Sequence, residues 1–126
     1  MNHKVFLAQF DAIKKLASEG PCVMVGRCAD YALAEYKDCF SVFVHADTDW
    51  RINRLSQKHN KTAKEAKDMI NKTDKSRSSY YNYYTNKKWG AASSYNLCVD
   101  SSKLGIDGAT KAIIQAIEIF DSIKNK

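Results

Sequence analysis

Three short apolar runs constrain this chain more than any other feature: "CVMV" (Cys22 to Val25), "FSVFVHA" (Phe40 to Ala46) and the run inside "NLCVDSS" (Asn96 to Ser102). Continuous apolar residues over so few positions, without a polar face, predict strands buried on both sides, as in a parallel sheet. Helical patterns separate the runs. Val5 to Ser18 sets Phe6, Phe10, Ile13 and Ala17 on one face and ends at Gly20-Pro21, a helix stop signal. "DTDWRINRLSQKH" begins at an Asp or Thr cap, and Thr62-Ala63-Lys64-Glu65 fits a capping box. Ile106 to Ile123 repeats Ile106, Ala109, Ile113, Ala116, Ile117 and Phe120 at helical spacing. Strands alternating with helices predict an α/β fold with a mostly parallel sheet. No repeat or linker divides residues 1–126, so one domain is expected.

The composition excludes several classes. With 44% hydrophobic and 27% charged residues the chain reads as globular, and no apolar run reaches membrane-spanning length. Met1-Asn-His-Lys leads into an amphipathic pattern unlike a signal peptide, so the cytoplasm is the expected compartment and no membrane partner is expected. Cys22, Cys28, Cys39 and Cys98 lack metal or redox spacing and read as buried free thiols; His3, His45 and His59 share no ligand spacing, and no metal site is expected.

The net charge of +6 is unevenly placed. Arg51 to Gly90 holds 11 Lys or Arg against 3 Asp or Glu, leaving 9 against 11 elsewhere, so the positive field belongs to one segment and argues for a localised anionic partner. Within it, "KTDKSRSSYYNYYTNKKWG" (Lys72 to Gly90) interleaves cations with tyrosines and Trp89. Such a stretch can line a single-stranded nucleic-acid groove, close over a mononucleotide, or pack a helix face. Tyr80 lies three residues from Tyr83 and four from Tyr84, which favours packing on one face.

Two further constellations carry chemistry. Gly26 and Arg27 follow the first predicted strand directly, at the carboxyl end where open α/β sheets bind ligands; Gly26 lets backbone approach, and Arg27 offers a planar fork to a phosphate. Asp30 can pair with Arg27 or cap the next helix. Asp74 and Arg77, three apart on a helix, point the same way; they form a local ion pair or divide a nucleotide's sugar and phosphate between them.

"GPCVMVGRCADY", "VFVHADTDWRINRL", "INKTDKSRSSYYNYYTNKKWG" and "YNLCVDSSKLGIDGA" stand in the order and approximate spacing of the cytidylate kinase-like family, which the chain resembles from about Phe6 to Ile117. The resemblance implies a P-loop kinase-like three-layer α/β fold with a parallel sheet, incomplete at the N-terminus, and a helical lid over about residues 51–90. It implies phosphoryl transfer from ATP to a pyrimidine nucleoside monophosphate, with ATP and magnesium as the intact enzyme's requirements and neither certain for this chain. By matching position, Arg27 resembles the strand-end arginine facing the acceptor phosphate, and Asp74 and Arg77 resemble a "DxxR" pair on the acceptor's sugar and phosphates. Arg51 and Arg54 fall where the lid supplies arginines on the ATP side. The implied site is thus Arg27 and Arg77 in catalysis, with Gly26, Arg51, Arg54 and Asp74 binding nucleotide. Cytidylate kinases proper have Asp directly after the strand-end arginine; here Cys28 stands there.

A G-x-x-x-x-G-K-[ST] loop, whose backbone N–H groups and lysine hold ATP phosphates, does not occur: none of Gly20, Gly26, Gly90, Gly105 or Gly108 precedes Lys-Ser or Lys-Thr. The expectation is the C-terminal part of a longer protein, inactive alone. The alternative is a non-catalytic nucleotide-binding or interaction subunit, completed by a complementing N-terminal segment, another chain or a homo-oligomer. A single-stranded nucleic-acid binder ranks third.

Overall fold

The computed structural model describes residues 3–124, which form α1 (His3–Glu19), α2 (Ala29–Ala32), β1 (Val42–His45), α3 (Thr48–His59), α4 (Ala63–Thr85), a single 3-10 turn (Ala92–Ser94), β2 (Leu97–Asp100) and α5 (Ser101–Lys124). β1 and β2 pair in parallel, Val42 opposite Leu97 and His45 opposite Asp100. Side chains pin this register at both ends. Asn96 Oδ1 accepts from the Ser41 amide at 2.8 Å and the Ser41 hydroxyl at 3.0 Å, while Ser101 Oγ donates to the His45 carbonyl at 3.2 Å. The amide of Asp47 donates to Ser102 Oγ at 2.9 Å, joining the start of α3 to the start of α5. Two of the three predicted strands therefore form, giving a mixed, mainly helical architecture around a small parallel sheet.

The third does not. Pro21–Val25 is no strand, and no backbone hydrogen bond ties it to another segment among the described residues. Only Met24 is half-buried, against a cluster of Ile13, Ala32 and Leu33 that also receives Phe10, Ala17 and Cys39. Val23 and Val25 point away, 93% and 89% exposed. The apolar run predicted a strand buried on both faces; among the described residues no strand lies beside it and only Met24 is covered. The cysteine expectation needs a related correction: all four thiols are free, yet Cys22 in this segment is exposed and only Cys28 is fully buried.

The helices follow their sequence signals. Asp47 precedes α3 as expected, and α3 ends at Asn60 in the left-handed conformation that asparagine tolerates. The Thr62 hydroxyl accepts from the Glu65 amide and the Glu65 carboxylate accepts from the Thr62 amide, each at 3.1 Å, completing the capping box that starts α4. α5 begins five residues before the periodic pattern, at Ser101, and breaks at Gly105 with φ 74°. No described helix is long and apolar enough to cross a membrane.

α4 divides its residues between two tasks. Its second half packs. Tyr84 stacks on Phe6 of α1 with ring centres 4.0 Å apart and planes within 9°, and Tyr80 lies 4.9 Å from Tyr84. Tyr81 is buried, with its ring 6.0 Å from Tyr95, and its hydroxyl donates to Asp30 Oδ2 at 2.7 Å. Burial, then this hydrogen bond, pushes the Tyr81 phenol well above its ordinary pKa. Tyr83 remains exposed. Asp30 therefore does not pair with Arg27; it holds α4 against α2. Tyr81→Phe should destabilise the chain by about 1–2 kcal/mol, the scale of a hydrogen bond to a charged group at a partly buried position, read from urea unfolding followed by circular dichroism.

Candidate functional site

A cleft of about 630 Å³ opens between α3 and α4 over the end of β1. Its position follows from the sheet: His45 and Ala46 lie at the carboxyl end of β1, and Ser101 begins α5 at the carboxyl end of β2. Parallel strands end together here and helices begin, the usual ligand position in open α/β sheets. α3 contributes two rows four residues apart, Trp50, Arg54 and Lys58 beside Arg51, Leu55 and His59. α4 contributes Thr73, Asp74 and Arg77 above Met69 and Ile70. Trp89 and Gly90 close one side.

Four cations, Arg51, Arg54, Lys58 and Arg77, line this cleft against one carboxylate, Asp74. Arg51 and Asp74 make a fork-to-fork pair, Nη1 to Oδ2 and Nη2 to Oδ1, both 2.8 Å. That hydrogen-bonded pair raises the arginine's pKa further above neutrality and fixes α3 to α4 across the cleft. The Arg54 guanidinium lies 5.7 Å from the centre of the Trp50 ring. Arg77 is exposed, and no ion pair or hydrogen bond holds it among the described residues. The local Asp74–Arg77 pair weighed from sequence does not form, because Asp74 turns to α3 and leaves Arg77 to the cleft.

Four of the six residues singled out in the sequence, Arg51, Arg54, Asp74 and Arg77, thus share one cleft; Gly26 and Arg27 do not line it. They occupy an unusual turn. Gly26, Arg27 and Cys28 take φ values of 69°, 60° and 56° in succession. Left-handed backbone costs about 1–2 kcal/mol at each non-glycine position, so the fold must hold it. It does so by hydrogen bonds from the Ala29 amide to the Gly26 carbonyl at 3.1 Å and from the Tyr31 amide to the Cys28 carbonyl at 3.0 Å. Burial, then the neighbouring Asp30, pushes the Cys28 thiol up to about 11, so it anchors this turn as a protonated, unreactive group. Strained backbone of this kind is concentrated at ligand-binding turns. Sequence reading missed Trp50, Lys58, His59 and Trp89 as cleft residues; helical spacing from Arg54 and Arg51 would have reached the first three.

Residues 1–103 match the model of the cytidylate kinase-like family. The chain belongs to that family. The crystal structure of an uncharacterized protein from Eubacterium ventriosum ATCC 27560 is similar to it, with a TM-score of 0.87 and 34% identity over 90% of this chain. The match covers 65% of that protein, so this cytidylate kinase-like chain spans about two thirds of its relative's length. No curated protein matches significantly.

The two faces of the cleft are coupled through one pair, and a double-mutant cycle measures it. Arg51 and Asp74 side chains are 32% and 28% exposed, so solvent screening limits the coupling of Arg51→Met with Asp74→Asn to about 0.5–1 kcal/mol. Urea unfolding of the four proteins should return that value.

Proposed function

We propose that the cleft between α3 and α4 binds the phosphate of a pyrimidine nucleoside monophosphate, with the chain acting as the acceptor-binding and lid part of a cytidylate kinase-like protein. One observation carries the reading: among the described residues Arg77 has no ion-pair or hydrogen-bond partner, in a cleft with Arg51 and Arg54 at the carboxyl end of a parallel strand pair. A guanidinium without a carboxylate partner is ready to take a phosphate through two parallel hydrogen bonds. Arg51, already paired, supplies charge from a fixed position. Trp50 and Trp89 offer ring faces beside the cations, and Asp74 carries two acceptor oxygens toward hydroxyl donors of a sugar.

The rest of the proposed reading concerns architecture. Residues 1–126 are one domain of the P-loop kinase-like, three-layer type, and residues 51–90 are its lid. Arg51, Arg54, Lys58 and Arg77 of this lid face the cleft, and its tyrosine-bearing segment is anchored to α1 and α2. Tyr80, Tyr81 and Tyr84 are spent on packing, which disfavours a stacking platform for single-stranded nucleic acid. Arg27 sits on its left-handed turn as the proposed second phosphate contact, poised to act where the acceptor meets the donor.

In this reaction class, positioning and charge neutralisation of the transferred phosphoryl group supply nearly all of the catalysis. ATP supplies that group and magnesium would accompany its phosphates. Among the described residues no three His, Cys, Asp or Glu side chains converge to hold a metal ion, so magnesium has no residues assigned here. The sequence offers no glycine-rich lysine loop for the donor. The proposed role is therefore binding of the acceptor, with turnover dependent on a donor-binding element outside these residues.

Titration calorimetry with CMP tests the site. Arg77→Ala should weaken binding at least tenfold, and Lys87→Ala, which lies outside the cleft, less than twofold. Equal losses would indicate diffuse attraction to a basic surface. A coupled assay with ATP and CMP should give turnover far below the roughly 1 per second at which kinases begin; a rate at or above it would require a phosphate cradle within this chain.

A further inference from the structure

A second cleft, of about 370 Å³, lies where the first residue of α1 meets α4, and it shares no lining residue with the first cleft. His3, Tyr80, Tyr83 and Tyr84 wall it, and Ser76 and Ser79 add hydroxyls one turn before Tyr80 and Tyr83. Its volume is that of a small-molecule site.

The rings form a corner. Tyr83 meets Tyr84 at 86° and His3 meets Tyr84 at 82°, with centres 4.9 and 5.6 Å apart. The corner is fixed from behind, because Tyr84 stacks on Phe6 and the Tyr80 hydroxyl donates to Gln9 Oε1 at 3.2 Å. Packing therefore accounts for Tyr80 and Tyr84. It does not account for Tyr83, which is 67% exposed while the other tyrosines of α4 are buried or half-buried. The hydroxyls of Ser76, Ser79 and Tyr83 have no hydrogen-bond partner among the described residues.

Charge narrows what this corner can hold. No carboxylate lines it. Lys72, Ser76 and Tyr80 follow one another at four-residue steps along α4, as do Lys75, Ser79 and Tyr83, so each row runs from an exposed lysine through a free hydroxyl to a ring. An organic cation, which a corner of aromatic faces otherwise suits, would enter against these lysines with no counter-ion.

We propose that this cleft is a second ligand site, taking a planar aromatic ring system that carries one phosphate or carboxylate. The ring stacks on Tyr83 inside the corner made with Tyr84 and His3. Its polar edge meets Ser76 and Ser79, and its anion lies toward Lys72 and Lys75. Only one tyrosine of α4 presents an exposed face, so the site takes a single ligand and not a nucleic-acid strand, which needs a succession of rings. The site stands on its own residues and does not depend on nucleotide binding in the first cleft.

A nitrogen–proton NMR titration of the full chain with AMP and with indole-3-acetate tests the site and separates a nucleotide from an aromatic carboxylate as its ligand. The expected result is saturable shifts at the amides of Ser76, Ser79 and Tyr83 with at least one probe, at a Kd below about 1 mM. Tyr83→Ala should weaken that binding about fivefold or more, the scale of one lost stacking ring, with the circular dichroism of the chain unchanged, and Tyr83→Phe should retain it. Lys72→Glu combined with Lys75→Glu should weaken it to a similar degree. No saturable shift at these amides with either probe would overturn the proposal, as would undiminished binding by Tyr83→Ala. Tighter binding of tetramethylammonium than of both probes would overturn it by making the corner a cation site. Loss of the same shifts in Arg77→Ala would overturn it by assigning them to the first cleft.

Discussion

The parallel register of β1 on β2 is the constraint on which the cleft depends. Aligning Val42–His45 with Leu97–Asp100 brings both strands to the same level and starts α3 and α5 side by side. Polar side chains at the strand ends hold the alignment. Asn96 satisfies Ser41 at one end; Ser101 and Ser102 satisfy His45 and Asp47 at the other. Asp100 then accepts from the amides of Ser102 and Lys103 to cap α5, and its hydrogen bond from the Ser102 hydroxyl holds the carboxyl below the usual carboxylate range. A slip of one residue in this pairing would turn Phe43 away from Trp89 and Tyr95, which its ring now meets at centroid distances of 5.2 and 4.8 Å, and would close the cleft's inner wall.

From that base, α4 couples structure to site. Its two halves are constrained in different ways. Near Asp74 it is tied to α3 by an ion pair open to solvent, a contact of modest strength. Near Tyr81 it is tied to α2 and α1 by stacked rings and a hydrogen bond to Asp30. Arg77 lies between the two ties, one turn from each.

Much of this was legible in the sequence because the signals were local. The capping box at Thr62, the stop at Gly20-Pro21 and the spacing of Tyr80 and Tyr84 depend on residues within one or two turns, and all appear as read. The resemblance brought Arg51, Arg54, Asp74 and Arg77 together before any geometry did, and the cleft contains them all. What escaped was set by long-range competition. Spacing could not show that Asp74 would prefer Arg51, 23 residues away, to Arg77, or that Asp30 would take the Tyr81 hydroxyl 51 residues on. The strand at Cys22–Val25 failed for another reason: a strand is completed by its neighbours, and no described segment pairs with this one.

The chain's two tryptophans, Trp50 and Trp89, both line the cleft, so their indole N–H signals report on it alone. In a nitrogen–proton NMR titration, the account predicts that CMP shifts both indole signals together with the amides around Arg51 and Arg77, and that cytidine, lacking the phosphate, shifts them far less. Equal responses to CMP and cytidine, or shifts confined to Tyr83 and the exposed face of α4, would contradict the assignment of this cleft as a nucleotide phosphate site.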